Sequence, residues 1–119
     1  MKISLLRSSV AIAGLLAFTV TASAASPFGT WKRPDGSTAK VSDCGGKMCG
    51  VVTSGKKSGF KMFKGIPKTG ANTWAGDMWH PKMGSWMTFN GTVKLSGNQL
   101  SVKGCAIGKS MCDSETWTR

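Results

Sequence analysis

The side chains best suited to chemistry cluster late in the chain. Met78, His80 and Met83 surround Pro81, with Trp79 and Trp86 beside them. On an extended strand Met78 and His80 face the same way. Thioether and imidazole together make a soft donor set suited to Cu(I), and a tryptophan face could cover such an ion. The same residues also read as packing, with the methionines filling a core and His80 at a solvated turn, because methionine fills irregular gaps and the chain has 7 of them.

Other reactive groupings are sparse. His80 is the one histidine, Asp77 lies three residues before it, and no G-x-S-x-G occurs. Paired carboxylates would have to come from Asp35, Asp43, Asp77, Asp113 and Glu115, which fall mostly at turns or ends. Catalysis needs a nucleophile, a base or a metal in mutual reach, and no such constellation is written here. The expectation is a non-enzymatic protein with no cofactor, with a small hydrolase as an alternative and a Cu(I) protein using Met78, His80 and Met83 as another.

The four cysteines, Cys44, Cys49, Cys105 and Cys112, read as disulfides if the chain is exported. Each of Cys44–Cys49 and Cys105–Cys112 is close in sequence and flanked by glycine, which favours that pairing. A long-range link such as Cys44–Cys105 also fits the sequence. The C-x4-C and C-x6-C spacings differ from the tight C-x2-C of zinc ribbons.

Export is legible at the start. Lys2 and Arg7 precede an apolar run from Val10 to Val20, and Thr21-Ala22-Ser23-Ala24 ends it with small residues. Charged start, short apolar stretch and small-x-small end are the parts of a cleavable signal peptide; the run is too short for a spanning helix. The reading is a signal peptide over 1–24 and one domain over 25–119, working in the periplasm or outside the cell. Over 25–119, 14 basic residues face 5 acidic ones, a net charge of +9. Such a charge attracts polyanions such as an anionic envelope surface or merely keeps the protein soluble. Lys56, Lys57, Lys61, Lys64 and Lys68 form the densest stretch and the candidate anion-binding surface. No nucleic-acid partner is expected.

The elements that must position these residues are strands. Turn chemistry recurs at Pro34-Asp35-Gly36-Ser37, Cys44-Gly45-Gly46-Lys47, Ser54-Gly55-Lys56-Lys57 and Ser96-Gly97-Asn98-Gln99 between short apolar pieces. From Trp86 to Leu95, Met87, Phe89, Val93 and Leu95 share one face, and Trp86, Thr88, Asn90, Thr92, Lys94 and Ser96 fall on the other, the period of a half-buried strand. Gly91 in its middle suggests a bulge or bend. Leu100 and Val102 continue the pattern as the second arm of a hairpin. Further strands are expected at 28–33, 38–43, 48–53, 73–80 and 114–119, with a short piece near 60–63; residues 56–71 read mainly as a mobile loop. The fold class is therefore all-β: seven to eight short antiparallel strands in a small monomeric up-and-down barrel, with an open sandwich as the alternative.

Several motifs in order are familiar. Gly29-Thr30-Trp31, Asp35-Gly36, Cys44-Gly45-Gly46-Lys47-Met48-Cys49-Gly50, Trp74-x-Gly76, Pro81, Gly104-Cys105 and Thr116-Trp117-Thr118-Arg119 resemble the bacterial exported family catalogued as domain of unknown function 2147. The resemblance implies a lipocalin-like antiparallel barrel outside the cytoplasm and assigns it no activity. By similarity to lipocalins, Trp31 is the plug of a closed barrel end. The chain departs from the family in having Trp79 and Trp86 where tyrosine is common, and His80 where an acid is more usual.

A closed barrel either holds one small ligand or is filled by its own side chains. The function expected here is binding of a small apolar or amphipathic molecule, or of an anionic envelope surface, through the barrel mouth. Trp31, Trp74, Trp79, Trp86, Met87 and Phe89 are the candidate ligand contacts.

Overall fold

A computed structural model describes residues 25–106 and 111–119. The signal-peptide expectation for 1–24 lies outside the described residues. Nine antiparallel strands follow one another: β1 (Gly29–Lys32), β2 (Thr38–Asp43), β3 (Met48–Val52), β4 (Lys61–Ile66), β5 (Lys68–Gly70), β6 (Thr73–His80), β7 (Gly84–Ser96), β8 (Gln99–Cys105) and β9 (Cys112–Thr118). Their order in the single sheet is β4-β3-β2-β1-β9-β8-β7-β6-β5. The sheet curls into a nearly closed barrel as β4 packs on β6, and the Ala75 N–H donates to the Pro67 carbonyl at 3.1 Å across that seam. Gly76 permits the approach, since a Cβ there would lie 2.7 Å from an Ile66 methyl.

The core follows the strand period. Trp31, Ala39, Val41, Val52, Val93, Leu100, Val102 and Trp117 are buried, and Phe63 stacks on Trp117 with centroids 6.0 Å apart. Trp31 is fully buried where Pro27 and Phe28 meet Arg119: its indole N–H donates to the Pro27 carbonyl at 2.7 Å and the Arg119 guanidinium lies 4.1 Å from its ring.

Both disulfides follow the favoured pairing, Cys44–Cys49 across the β2–β3 turn and Cys105–Cys112 across β8 and β9. Two expectations need correction. Residues 56–71 are not mainly loop, because β4 and β5 lie within them. Their period is hidden by two irregularities: Met62 and Gly65 are each inserted between successive β3–β4 pairs, which leaves Met62 and Phe63 buried side by side and breaks the alternation a strand ordinarily shows. Gly91 is not a bulge either. It pairs regularly with Gly76 on β6 and Gly104 on β8, so three glycines form a row across the sheet. A Cβ at Gly91 would lie 2.4 Å from the Met78 Cε, and one at Gly104 would lie 3.6 Å from its Sδ. The row clears the space that the Met78 side chain fills.

Candidate functional site

Four hairpin ends share one end of the barrel: β1–β2, β3–β4, β6–β7 and β8–β9, as the antiparallel registers require. This end is the mouth. Beneath it lies a cavity of about 240 Å³ lined by five methionines, Met62, Met78, Met83, Met87 and Met111, with Trp79, Phe89 and Val102 completing most of the apolar wall. That volume exceeds the ~150 Å³ of an engineered apolar cavity that admits benzene and falls below the ~300–1,000 Å³ of drug-sized pockets. Thioether side chains make such a wall adaptable, because methionine is unbranched and polarizable.

One wall is polar. His80 Nε2 lies 2.8 Å from Glu115 Oε2, and the Lys82 N–H donates to His80 Nδ1 at 3.1 Å. An Nδ1 that accepts a backbone N–H leaves the proton of a neutral imidazole on Nε2, so the ring donates to Glu115. Both ring nitrogens are thereby engaged. Glu115 also accepts from Trp117 Nε1 at 2.8 Å and from Arg33 Nη2 at 3.0 Å. Arg33 is buried, at 5 % exposure, and its guanidinium also reaches Asp35 at 3.4 Å and Ser37 at 3.1 Å. Burial alone would raise the Glu115 pKa; the hydrogen bonds from His80 and Trp117 and the Arg33 charge outweigh it and hold the carboxyl at about 2. Asp35 is also held below its ordinary value, chiefly by hydrogen bonds from the Ser37 hydroxyl and N–H.

Glu115 and His80 are a partition. Beyond them lies an open polar cleft lined by Arg33, Asp35, Lys56, Lys57 and Ser114, and both spaces share His80, Lys82, Asp113 and Glu115. Among the described residues no group of three or more His, Cys, Asp or Glu side chains is placed to hold a metal.

The residues expected at the site are partly brought together. Trp79, Met87 and Phe89 line the cavity, as do Met78, His80 and Met83. Trp31 and Trp74 are packed in the core, and Trp86 points outward at 76 % exposure. The lysines separate: Lys56 and Lys57 line the polar cleft, whereas Lys64 lies 4.4 Å from the Trp79 ring centroid and Lys68 5.7 Å from that of Trp74. Lys61 is exposed on β4.

Sequence reasoning missed Glu115 and Arg33 as partners, 82 positions apart. An acid inside the Thr116-Trp117 neighbourhood and an arginine opening a Pro-Asp-Gly turn were the available signals, and neither points to the other.

Residues 29–119 match the family model described as "Uncharacterized protein conserved in bacteria (DUF2147)". The chain belongs to this family. The DUF2147 match takes in every strand and the whole mouth. No curated protein and no solved structure matches the chain. The two disulfides are compatible with an oxidising, exported location, and among the described residues no helix is long and apolar enough to cross a membrane.

Proposed function

We propose that this DUF2147 protein is an exported, monomeric, non-enzymatic binding protein of the periplasm or the cell exterior, made with a signal peptide over 1–24, whose methionine-lined cavity takes a small apolar or amphipathic molecule. The observation that carries this reading is the cavity of about 240 Å³ with five thioethers on an apolar wall and its titratable groups, His80, Lys82, Asp113 and Glu115, gathered with them at its edge. Apolar surface with a few placed polar groups is the usual composition of a ligand site. An amphipathic ligand would put its chain among the methionines and its head beside Lys82 and the cleft lysines. A binding role rather than catalysis is supported by His80, whose two nitrogens are both committed to hydrogen bonds.

A fluorescent apolar probe tests the cavity. Met87→Trp, which fills it, should weaken probe binding at least tenfold, and Met87→Ala, which enlarges it, should retain binding of the same or a bulkier probe. Equal affinity in all three proteins defeats the reading. Native mass spectrometry of protein isolated from its own envelope then identifies a resident molecule.

A second reading has its own support: the gathering of Met78 and Met83 with three further thioethers and His80 around one space suits Cu(I). With the imidazole engaged, the thioethers would be the ligands. A Cu(I) titration against a competing chelator decides it: binding weaker than micromolar, or unaffected by Met78→Leu with Met83→Leu, ends this reading.

A further inference from the structure

The barrel mouth carries apolar side chains that neither the core nor the cavity uses up. Four large apolar residues are exposed among the described residues: Phe28 at 38 %, Met83 at 38 %, Met111 at 70 % and Trp86 at 76 %. Three of them stand at the mouth, Met83 and Trp86 on the β6–β7 hairpin and Met111 just before β9. Trp86 is turned outward by the alternation of β7, on the face opposite Met87 and Phe89, which line the cavity. Met78 pairs with Phe89 but His80 pairs with Gly84, so residues 85–88 stand opposite Trp79 alone. The Trp86 ring leans over Gly84, whose absent Cβ would sit 3.5 Å from the ring's Cδ1.

Lysines flank these residues. Lys82 is adjacent in the same hairpin, and Lys56 and Lys57 are exposed on the β3–β4 end across the cleft. Among the described residues none of the three makes an ion pair. Two of the three acids at this end, Asp35 and Glu115, are turned onto the single Arg33 guanidinium and not onto these lysines. A protein interface depletes lysine at its centre. An aromatic ring with lysines around it is instead the arrangement of a membrane-surface anchor, in which tryptophan sits at headgroup level and lysine stems snorkel toward the phosphates.

We infer that the mouth docks on an anionic lipid bilayer, with Trp86, Met83 and Met111 in the headgroup region and Lys56, Lys57 and Lys82 on the anionic headgroups. Met83 and Met111 line the cavity as well as the outer surface, so docking would bring the cavity mouth to the lipid. The inference does not require the cavity to be occupied.

Vesicle cosedimentation with the oxidised protein tests it, using phosphatidylcholine mixed with phosphatidylglycerol against phosphatidylcholine alone. Binding to the mixed vesicles should come with a blue shift of tryptophan emission that Trp86→Ser abolishes. Neutralising Lys56, Lys57 and Lys82 to glutamine should weaken binding at least tenfold, since each lysine near an anionic surface is worth about fivefold. Met87→Trp should still bind vesicles, which separates this result from the cavity test. Unaltered binding and emission in Trp86→Ser, or equal binding to neutral vesicles, overturns the inference. Trp86-dependent dimerisation without vesicles, seen by sedimentation equilibrium, overturns it in favour of a second copy as the occupant.

Discussion

His80 Nε2 and Glu115 Oε2 meet at 2.8 Å across 35 positions of sequence, and their contact separates a methionine-lined cavity from a polar cleft. The pair joins the end of β6 to the middle of β9, and Arg33 anchors it from the end of β1. The mouth is thus held by a charged cluster drawn from three separate strands.

Glu115→Gln removes the charge that compensates buried Arg33. Breaking one member of a buried pair is strongly destabilising, because the remaining charge stays desolvated. A loss of about 3 kcal/mol is expected, read as a lower urea midpoint. Arg33→Lys should recover little of an Arg33→Ala loss, since an ammonium cannot reproduce the fork that reaches both oxygens of Glu115. Full rescue by lysine would show that charge alone matters.

The same carboxylate sets an acid limit. Its folded pKa is about 2 against an ordinary 4.5, so the stabilisation it contributes is fully present above pH 4.5 and is lost as pH falls toward 2. After discounting for screening at this half-open site, about 2 kcal/mol is at stake. Urea midpoints measured between pH 5 and pH 2 should fall steeply in the native protein and less in Glu115→Gln. Parallel slopes would assign the acid sensitivity to other carboxyls, Asp35 first.

Gly50→Ala and Gly91→Ala should differ. A Cβ at Gly50 would lie 2.4 Å from the Phe63 ring, which is stacked on Trp117 and fully buried. At Gly91 the nearest atom is the flexible tip of Met78, also at 2.4 Å, but the Met78 Cβ lies at 2.9 Å as well. Overpacking costs about 1–3 kcal/mol; Gly50→Ala should lie at the upper end, and Gly91→Ala below it, because the tip of Met78 can swing away although its Cβ cannot. Gly91→Ala should also change probe affinity, because Met78 lines the cavity. Thermal melts with a probe titration check both.

The two disulfides should separate stability from binding. Removing either pair as a double alanine variant should cost about 2 kcal/mol by loop closure. Only Cys105→Ala with Cys112→Ala should weaken probe binding, since Cys112 lines the cavity and Cys44–Cys49 spans the β2–β3 turn at the far end. Thiol titration of the denatured, unreduced protein should find no free thiol. Equal effects on probe affinity would show that the mouth does not depend on its local crosslink.

Much of the barrel was legible because its strands keep a two-residue period. Thr38–Asp43 and Thr73–His80 stand within the bounds read from alternation and turns, and the paired cysteines flank turns that their glycines announce. β4 was blurred because inserted Met62 and Gly65 put consecutive residues on the same side. Gly91 allowed a bulge as well as a bend because a sequence does not show that Gly76 and Gly104 stand beside it in regular register.

The candidate site divides the same way. Local order along the chain already assembled Met78, His80 and Met83, since they lie within six positions of one another. It also marked Met87 and Phe89 as one face of a strand. What it could not supply was the partner across the barrel. Curling the sheet carries Met62, Met111 and Glu115 to these residues from segments distant in sequence. Composition and alternation thus determined that the chain makes a stapled, basic, all-β domain. Only tertiary structure decided which residues share a cavity, because that depends on strand register and closure, which place together side chains with no common period in the chain.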